Sequence, residues 1–184
     1  MSNAAIEQAV HHLRQGHVIA YPTEAVWGFG CDPFDEKAVH KILAIKQREV
    51  DKGLLLVAAN REQVEPLLAP LASEQIGQLE ATWPGPVTWL IPDPEPLFPA
   101  WIRGQHTSVA IRVSSHPVVH ALCTAFGGPI VSTSANQTNE PELRSEQDVR
   151  QRFGDALDFI VTGEIGQESD PSQIRDLMTG AIIR

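Results

Sequence analysis

The sequence of 184 residues is poor in cysteine and has no long apolar run. Its two cysteines, Cys31 and Cys123, are too few for a disulfide framework or a four-thiolate zinc site, which predicts reduced thiols. The longest apolar stretches, such as residues 54–59, are far below the ~20 residues that a membrane-spanning helix needs. The stretch from Met1 to Glu7 has no basic region followed by an apolar run, so no signal peptide is expected. Together these absences predict a cytoplasmic protein without a membrane segment.

Basic residues are also scarce, with 14 Lys and Arg against 23 Asp and Glu and a net charge of −9. This balance excludes a uniformly basic nucleic-acid binder and a polybasic membrane anchor. The lysines are nevertheless clustered between Lys37 and Lys52, whereas the excess of acid lies largely beyond residue 136. We therefore expect a cationic site within an acidic chain.

The composition, with 42% hydrophobic and 20% charged residues, is that of a single globular domain spanning residues 1–184. Helical and strand patterns alternate without a repeat or a linker, which predicts the α/β class with one mixed sheet. Helices are predicted over residues 4–15, 36–46, 62–68, 73–82, 117–126 and 145–152. Strands are predicted over residues 18–21, 54–59, 87–91, 109–113 and 159–161, with another starting at residue 129.

The common catalytic motifs are missing from the chain. Gly28-Phe29-Gly30 begins like a dinucleotide fingerprint, but Pro33 stands where the third glycine is needed. No phosphate loop, G-x-S-x-G, H-E-x-x-H or C-x-x-C sequence occurs. We therefore expect no covalent nucleophile and no metal held by the protein.

Polar side chains instead follow several of the predicted strands, where open α/β sheets build their sites. Each has a simple local interpretation: Thr23 can cap a turn, Lys46 and Arg48 suit a helix C-terminus, and hydroxyls at strand ends bond to nearby backbone. Arg112 is different, because it lies in the apolar stretch Val-Ala-Ile-Arg-Val. A guanidinium that faces inward there needs an anionic partner.

Six ordered motifs run along the chain. They are Tyr21-Pro22-Thr23-Glu24, Lys46-x-Arg48, Trp83-Pro84-Gly85-Pro86, Val109-Ala110-Ile111-Arg112-Val113, Ser132-Thr133-Ser134-Ala135-Asn136 and Asp170-Pro171-Ser172. This series resembles the YrdC family over about residues 6–184, and the short length is most similar to its bacterial single-domain branch. The resemblance implies a YrdC-like α/β fold, with a twisted mixed sheet flanked by helices and a large concave cavity.

The resemblance also implies a nucleotidyltransferase that converts L-threonine, bicarbonate and ATP into threonylcarbamoyl-AMP and pyrophosphate. That product serves the threonylcarbamoyladenosine modification of tRNA next to the anticodon. The implied partners are the transferase TsaD and the accessory proteins TsaB and TsaE. Mg²⁺ is expected to arrive with ATP, held mainly by the nucleotide's own oxygens and water.

The family's motifs imply two groups of binding residues in this chain. The ATP-binding residues implied are Lys46, Arg48, Lys52, Ser108, Ser134 and Asn136. The threonine-binding residues implied are Thr23, Arg112, Ser132 and Ser172. Ala25, Glu49 and Glu142 depart from residues common in the family.

Two alternatives remain open at this point. The first is a maturation factor of the same fold that binds transfer or double-stranded RNA without catalysis. The lysine cluster suggests this alternative, because cations bind the phosphate backbone of RNA. The second is a carbamoyl-adenylate domain like that of the HypF hydrogenase maturation protein. HypF chemistry usually sits in a longer chain with acylphosphatase and zinc-finger parts, for which 184 residues leave no room.

Overall fold

A computed structural model describes residues 3–184. Met1 and Ser2, which belong to the domain predicted over residues 1–184 and to the stretch searched for a signal peptide, lie outside the described residues. The α-helices are α1 (Asn3–Arg14), α2 (Glu36–Lys46), α3 (Glu65–Leu68), α4 (Ser73–Glu80), α5 (Ala100–Arg103), α6 (Pro117–Phe126) and α7 (Glu146–Phe153). The strands are β1 (Ile19–Pro22), β2 (Trp27–Gly30), β3 (Leu55–Ala58), β4 (Val87–Pro92), β5 (Ser108–Val113), β6 (Ile130–Val131), β7 (Thr133–Ser134), β8 (Phe159–Ile160) and β9 (Gln173–Asp176). The predicted α/β class is confirmed.

The strands form two mixed sheets, where the sequence pattern predicted one. One sheet has the order β7-β2-β1-β8 and the other the order β6-β3-β5-β4-β9. The chain passes from the second sheet to the first at Ser132, which lies between β6 and β7 and whose N–H donates to Leu55 O at 2.8 Å. The crossing leaves one two-residue strand in each sheet, β6 in the second and β7 in the first. Because both strands are so short, the hydrophobic pattern of residues 129–132 predicted one strand and gave no sign of a second sheet.

Local capping chemistry sets several helix boundaries close to their predicted positions. Asp35 caps α2, since its carboxylate accepts the N–H of Ala38 at 2.9 Å. Pro117 starts α6, and Gly127 ends it at φ 91°, a left-handed conformation that favours glycine. Ser145 accepts the N–H of Asp148 at 3.1 Å and so caps α7.

Other elements differ from the prediction. Residues 62–68 were expected to be one helix, but they divide into a 3₁₀ turn (Arg61–Val64) and the single-turn helix α3. The strands β2, β7 and β9 were not predicted. Two glycines interrupt the apolar pattern of β2, β7 is a polar dipeptide, and β9 is only partly buried.

Two apolar clusters hold the sheets and helices together. The larger one includes Phe29, Ile42 and Ile111, and so joins both sheets to α2. The smaller one contains Leu13 of α1 and Leu122 of α6, which cover the other side of β1 and β3. Within residues 3–184, no helix is long and apolar enough to cross a membrane.

Candidate active site

A cavity of about 410 Å³ lies where the two sheets meet, and its wall contains eight of the ten residues implied by the family motifs. Those eight are Thr23, Lys46, Arg48, Arg112, Ser132, Ser134, Asn136 and Ser172. They come from both sheets, from the end of α2 and from the segment around β9. The fold therefore gathers most of the predicted site into one concave surface.

Two predicted ATP-binding residues, Lys52 and Ser108, do not lie in the cavity wall. Lys52 is in a 3₁₀ turn with its ammonium exposed and 3.3 Å from Glu49 Oε2. Ser108 begins β5, four residues before Arg112, which is about 13 Å along an extended strand at roughly 3.3 Å per residue. The position of Ser108 along β5 and the ion pair of Lys52 with Glu49 thus keep both residues out of the cavity wall, and their assignment to ATP stays a prediction.

The Lys46 ammonium is buried and is engaged by the chain itself. It donates to Ser134 O, to Asn136 O at 3.0 Å and to Asn136 Oδ1 at 2.9 Å. An ammonium has three hydrogens, so these acceptors use all of them. Burial, and then the charge of Arg48, lower the pKa of Lys46 to about 8. In this conformation Lys46 holds the cavity wall in place and supplies charge from behind it.

Asn136 completes the same network with both ends of its amide. Its Oδ1 accepts from Ser134 Oγ at 2.7 Å as well as from Lys46, and its Nδ2 donates to Glu140 O at 2.6 Å. The Ser-x-Asn motif is therefore first of all a rigid turn. Any contact that it makes with a ligand comes from a wall whose shape is already fixed.

Arg48 reaches the cavity because α2 ends in a left-handed residue. Gln47 has φ 51°, and the N–H of Arg48 then returns to Leu43 O at 2.9 Å. The Arg48 side chain donates from Nε and Nη2 to Gly53 O at 3.3 and 3.0 Å. Burial, and then the charge of Arg184, lower the pKa of the Arg48 guanidinium below its ordinary value. Within residues 3–184, Nε and Nη2 of Arg48 are occupied by backbone acceptors, which leaves Nη1 to bind a ligand.

Arg112 has the anionic partner that its apolar surroundings require, and the partner is Glu24. Arg112 Nη1 lies 2.7 Å from Glu24 Oε2, and both side chains are about nine-tenths buried. Ser114 Oγ donates to the other carboxylate oxygen at 2.6 Å. Burial alone would raise the pKa of Glu24, but Arg112 and the Ser114 hydrogen bond outweigh it and lower the pKa below its ordinary value. Glu24 is thus a carboxylate at neutral pH.

Glu24 was not predicted as a site residue, although a signal existed. It directly follows the Pro22-Thr23 motif at the end of the first predicted strand, and an inward-facing Arg112 demanded an acid. What the sequence could not provide is the pairing of these two residues, because it depends on how the two sheets meet.

The hydroxyl groups of the cavity are oriented by local bonds. Thr23 Oγ1 donates its hydrogen to Val26 O at 2.7 Å, so toward a ligand it can only accept. Ser172 Oγ and Thr88 Oγ1 are 2.8 Å apart and share a hydrogen bond. A Cβ on Gly28 would lie 3.4 Å from Thr133 O and from Thr23 Cγ2, so glycine keeps this part of the wall open.

The segment after β9 closes the cavity with a cation for which the sequence gives no signal. Ile174 N–H donates to Arg184 O at 3.0 Å, and Ile183 N–H donates to Ile174 O at 2.8 Å. Arg184 then lines the cavity and donates from Nη2 to Ser172 O at 3.3 Å. The position of Arg184 in the cavity follows from this backbone pairing with β9, which the sequence alone does not show.

Acidic residues also enter the cavity. Its wall contains five carboxylates, which are Glu24, Glu140, Glu142, Glu168 and Asp170, against the cations Lys46, Arg48, Arg112 and Arg184. Arg152 pairs with Glu140 at the rim. Among residues 3–184 no group of three His, Cys, Asp or Glu side chains is placed to hold a metal ion.

Comparison with known proteins gives matches over nearly the whole chain. A family model described as telomere recombination, for Sua5, YciO and YrdC proteins, matches residues 11–184. A curated relative from Cellvibrio japonicus, named threonylcarbamoyl-AMP synthase, is 53% identical over 182 residues, which cover 99% of this chain and 96% of that protein.

Two solved structures share the fold. The P. abyssi Sua5 in complex with L-threonine superposes with a TM-score of 0.92 at 30% identity, over 100% of this chain and 54% of that one. The E. coli YciO has a TM-score of 0.85 at 25% identity, over 100% of this chain and 89% of that one. The chain thus spans about half the length of the P. abyssi Sua5, but nearly all of the C. japonicus relative.

Proposed function

The chain belongs to the Sua5/YciO/YrdC family and has the threonylcarbamoyl-AMP synthase function of its bacterial relatives, and we propose that ATP and L-threonine react in the cavity around Arg48 and Arg112. The observation that carries the function is the 53% identity to a synthase over 99% of the chain. The same full-length match supports a synthase over a hydrogenase-maturation domain.

The proposed reaction has two steps and needs no enzyme nucleophile. The threonine ammonium and bicarbonate give a carbamate, one water and one proton that passes to solvent. A carbamate oxygen then attacks the α-phosphorus of ATP, forming the new P–O bond as pyrophosphate leaves. Positioning and charge stabilisation provide most of the catalysis in such transfers. Mg²⁺ enters as part of the ATP complex.

The cations of the cavity are suited to separate parts of this reaction. Arg48 and Arg184 lie close enough for their charges to interact, and together they can bind the triphosphate. Arg112 presents a guanidinium that suits the carboxylate of threonine. Lys46 adds positive charge from behind the turn that contains Ser134 and Asn136.

Hydroxyl groups account for the choice of amino acid. Thr23, Ser132 and Ser172 line the cavity, so a substrate hydroxyl can be paired there. A site that pairs a substrate hydroxyl rejects an apolar isostere far better than shape alone does. The three serine and threonine side chains therefore favour threonine over valine.

The product would pass to the tRNA-modification transferase TsaD, with TsaB and TsaE, in the cytoplasm. RNA binding without catalysis has less support. Lys41 lies 2.6 Å from Asp158, Lys52 pairs with Glu49, and Lys46 is buried. Most of the lysine cluster is thus neutralised or enclosed, and direct RNA binding remains a prediction that a salt-dependent shift assay can check.

The test is pyrophosphate release from ATP, measured with L-threonine and bicarbonate present together and with each omitted. We expect release only with both, and release that is indifferent to threonine would refute the proposal. Arg48→Ala is expected to lower kcat/KM by about 10²-fold or more, as for loss of one charge-stabilising group. Arg150→Ala is the matched control, because Arg150 is an exposed residue of α7 paired with Glu146. Near-wild-type turnover of Arg48→Ala would refute the role given to Arg48.

A further inference from the structure

We propose that Glu24 binds the α-ammonium group of L-threonine while Arg112 binds its carboxylate, so that the buried ion pair recognises the amino acid as a zwitterion. The inference rests on the proposed function, because that function supplies threonine as the substrate. It assigns Glu24, which the sequence motifs left without a role.

The two side chains present opposite charges side by side in one cavity wall. Arg112 Nη1 and Glu24 Oε2 are 2.7 Å apart, with 8% and 10% of the two side chains exposed. An amino-acid zwitterion carries its ammonium and carboxylate on one carbon atom, which matches a pair of this separation. Bound antiparallel to the ion pair, it would place each substrate charge against its opposite. The enclosed site would then hold two positive and two negative charges.

Both partners retain hydrogen-bonding capacity beyond the ion pair. The Glu24 carboxylate has about four acceptor positions. Among these, one faces Arg112 and another accepts from Ser114 Oγ. On the other side, Arg112 Nε is buried and has no hydrogen-bond partner within residues 3–184. A guanidinium with five N–H groups can therefore hold Glu24 and a substrate carboxylate at once.

The Glu24 carboxylate is held in place before any substrate arrives. The backbone O of Glu24 accepts the N–H of Glu168 at 3.2 Å, and the backbone O of the neighbouring Thr23 accepts the N–H of Gly166 at 2.9 Å. Ser114 Oγ, which donates to the carboxylate, itself accepts the N–H of His116 at 3.1 Å. Such fixed neighbours reduce the ordering cost of binding a small, charged ligand.

The same carboxylate would act in the opposite sense after the first chemical step. The nitrogen of threonine arrives as a cation, but the carbamate formed on it is an anion. Glu24 therefore attracts the substrate and repels the intermediate. The cations Arg48 and Arg184 lie on the same cavity wall and attract the carbamate toward the phosphates.

The test is calorimetric binding without ATP, using L-threonine and its 2-hydroxy analogue, 2,3-dihydroxybutanoate of the same configuration. The analogue keeps the carboxylate and the hydroxyl but replaces the ammonium with a second hydroxyl group. We expect the wild-type chain to bind it about 10- to 100-fold more weakly than threonine, as for loss of one charge-assisted bond. Glu24→Gln should weaken threonine binding by a similar factor and bring the two affinities within about threefold.

Glu142→Gln is the control, since it neutralises another carboxylate of the same cavity and should change the ratio of the two affinities far less than Glu24→Gln does. Equal affinity of the wild-type chain for both ligands would overturn the inference while the synthase function stands. So would an equal loss for both ligands in Glu24→Gln, which would mean that Glu24 only orders Arg112. Failure of the wild-type chain to bind threonine would instead refute the proposed function. The wild-type comparison decides the matter even where Glu24→Gln does not fold.

Discussion

The buried network around Lys46 permits a quantitative prediction for Asn136→Ala. The substitution removes one hydrogen bond to a charged donor, the Lys46 ammonium, at 2.9 Å. It also removes two neutral bonds, to Ser134 Oγ at 2.7 Å and to Glu140 O at 2.6 Å. A bond to a charged group contributes about 1.5–3 kcal/mol and a neutral one about 0.5–1.5 kcal/mol. Because water can enter from the cavity, we expect a loss near the lower end, about 3 kcal/mol.

Part of this loss in the free energy of unfolding should depend on the Lys46 ammonium. A double-mutant cycle can measure that part as the coupling between Lys46 and Asn136. In a Lys46→Met background, Asn136→Ala removes only the two neutral bonds and should cost about 1–2 kcal/mol. The expected coupling is therefore about 1.5 kcal/mol, well above the ~0.5 kcal/mol scatter of independent sites.

The assay is urea unfolding followed by circular dichroism for the wild-type chain, both single variants and the double variant. Thermal unfolding of Asn136→Ala should give a Tm about 6–12 °C lower, at roughly 2–4 °C per kcal/mol for a chain of this size. Costs that add within ~0.5 kcal/mol would refute the reasoning, because Lys46 and Asn136 would then stabilise the fold independently.

Three further predictions follow from the cavity wall. Glu24→Gln leaves the Arg112 guanidinium buried without its charge partner, so it should lower the free energy of unfolding by about 3–5 kcal/mol in urea titrations near pH 7. Since the pKa of Glu24 is lowered in the folded state, this difference should shrink as the pH falls below the ordinary value of 4.5, and a difference that grows on acidification would contradict it. Gly166→Ala places a Cβ 2.7 Å from Glu24 O and should raise the KM for threonine about tenfold in the pyrophosphate assay, with an unchanged KM speaking against a fixed Glu24 backbone. Lys52→Ala should change pyrophosphate release less than about twofold, because Lys52 pairs with Glu49 outside the cavity; a loss like that of Arg48→Ala would return Lys52 to the nucleotide site.

Features that depend on a few neighbouring residues could be predicted from the sequence. The caps at Asp35 and Ser145 follow from side-chain bonds within one helical turn, and the start of α6 follows from the fixed φ of Pro117. The ordered motifs likewise indicated eight residues of the cavity wall, because several motifs lie at the ends of strands or helices, where α/β folds build their sites.

Features that depend on distant pairing could not be predicted. The parallel alignment of β9 with β4 decides that Arg184 enters the cavity, and no local pattern in Gln-Ile-Arg-Asp signals it. The surroundings of Lys52 were equally hidden, because the sequence groups it with Lys46 and Arg48, whereas in the structure it lies beside Glu49 and outside the cavity wall. Charge counts along the sequence were equally limited, since Glu142 and Asp170 belong to the acidic part beyond residue 136 and yet line the cavity.

The cavity wall is assembled from segments that are far apart in the chain, from Thr23 through Arg112 to Arg184. Within residues 3–184, no single helix, hairpin or half of the sequence contains all of these residues, so we expect full ligand affinity only in the completely folded chain. Substrates that bind there therefore oppose global unfolding, by about 2.7 kcal/mol at a ligand concentration of 100 times Kd. Such a chain should resist proteolysis as a whole when it is supplied with its substrates, and the protection should extend to helices that never touch them.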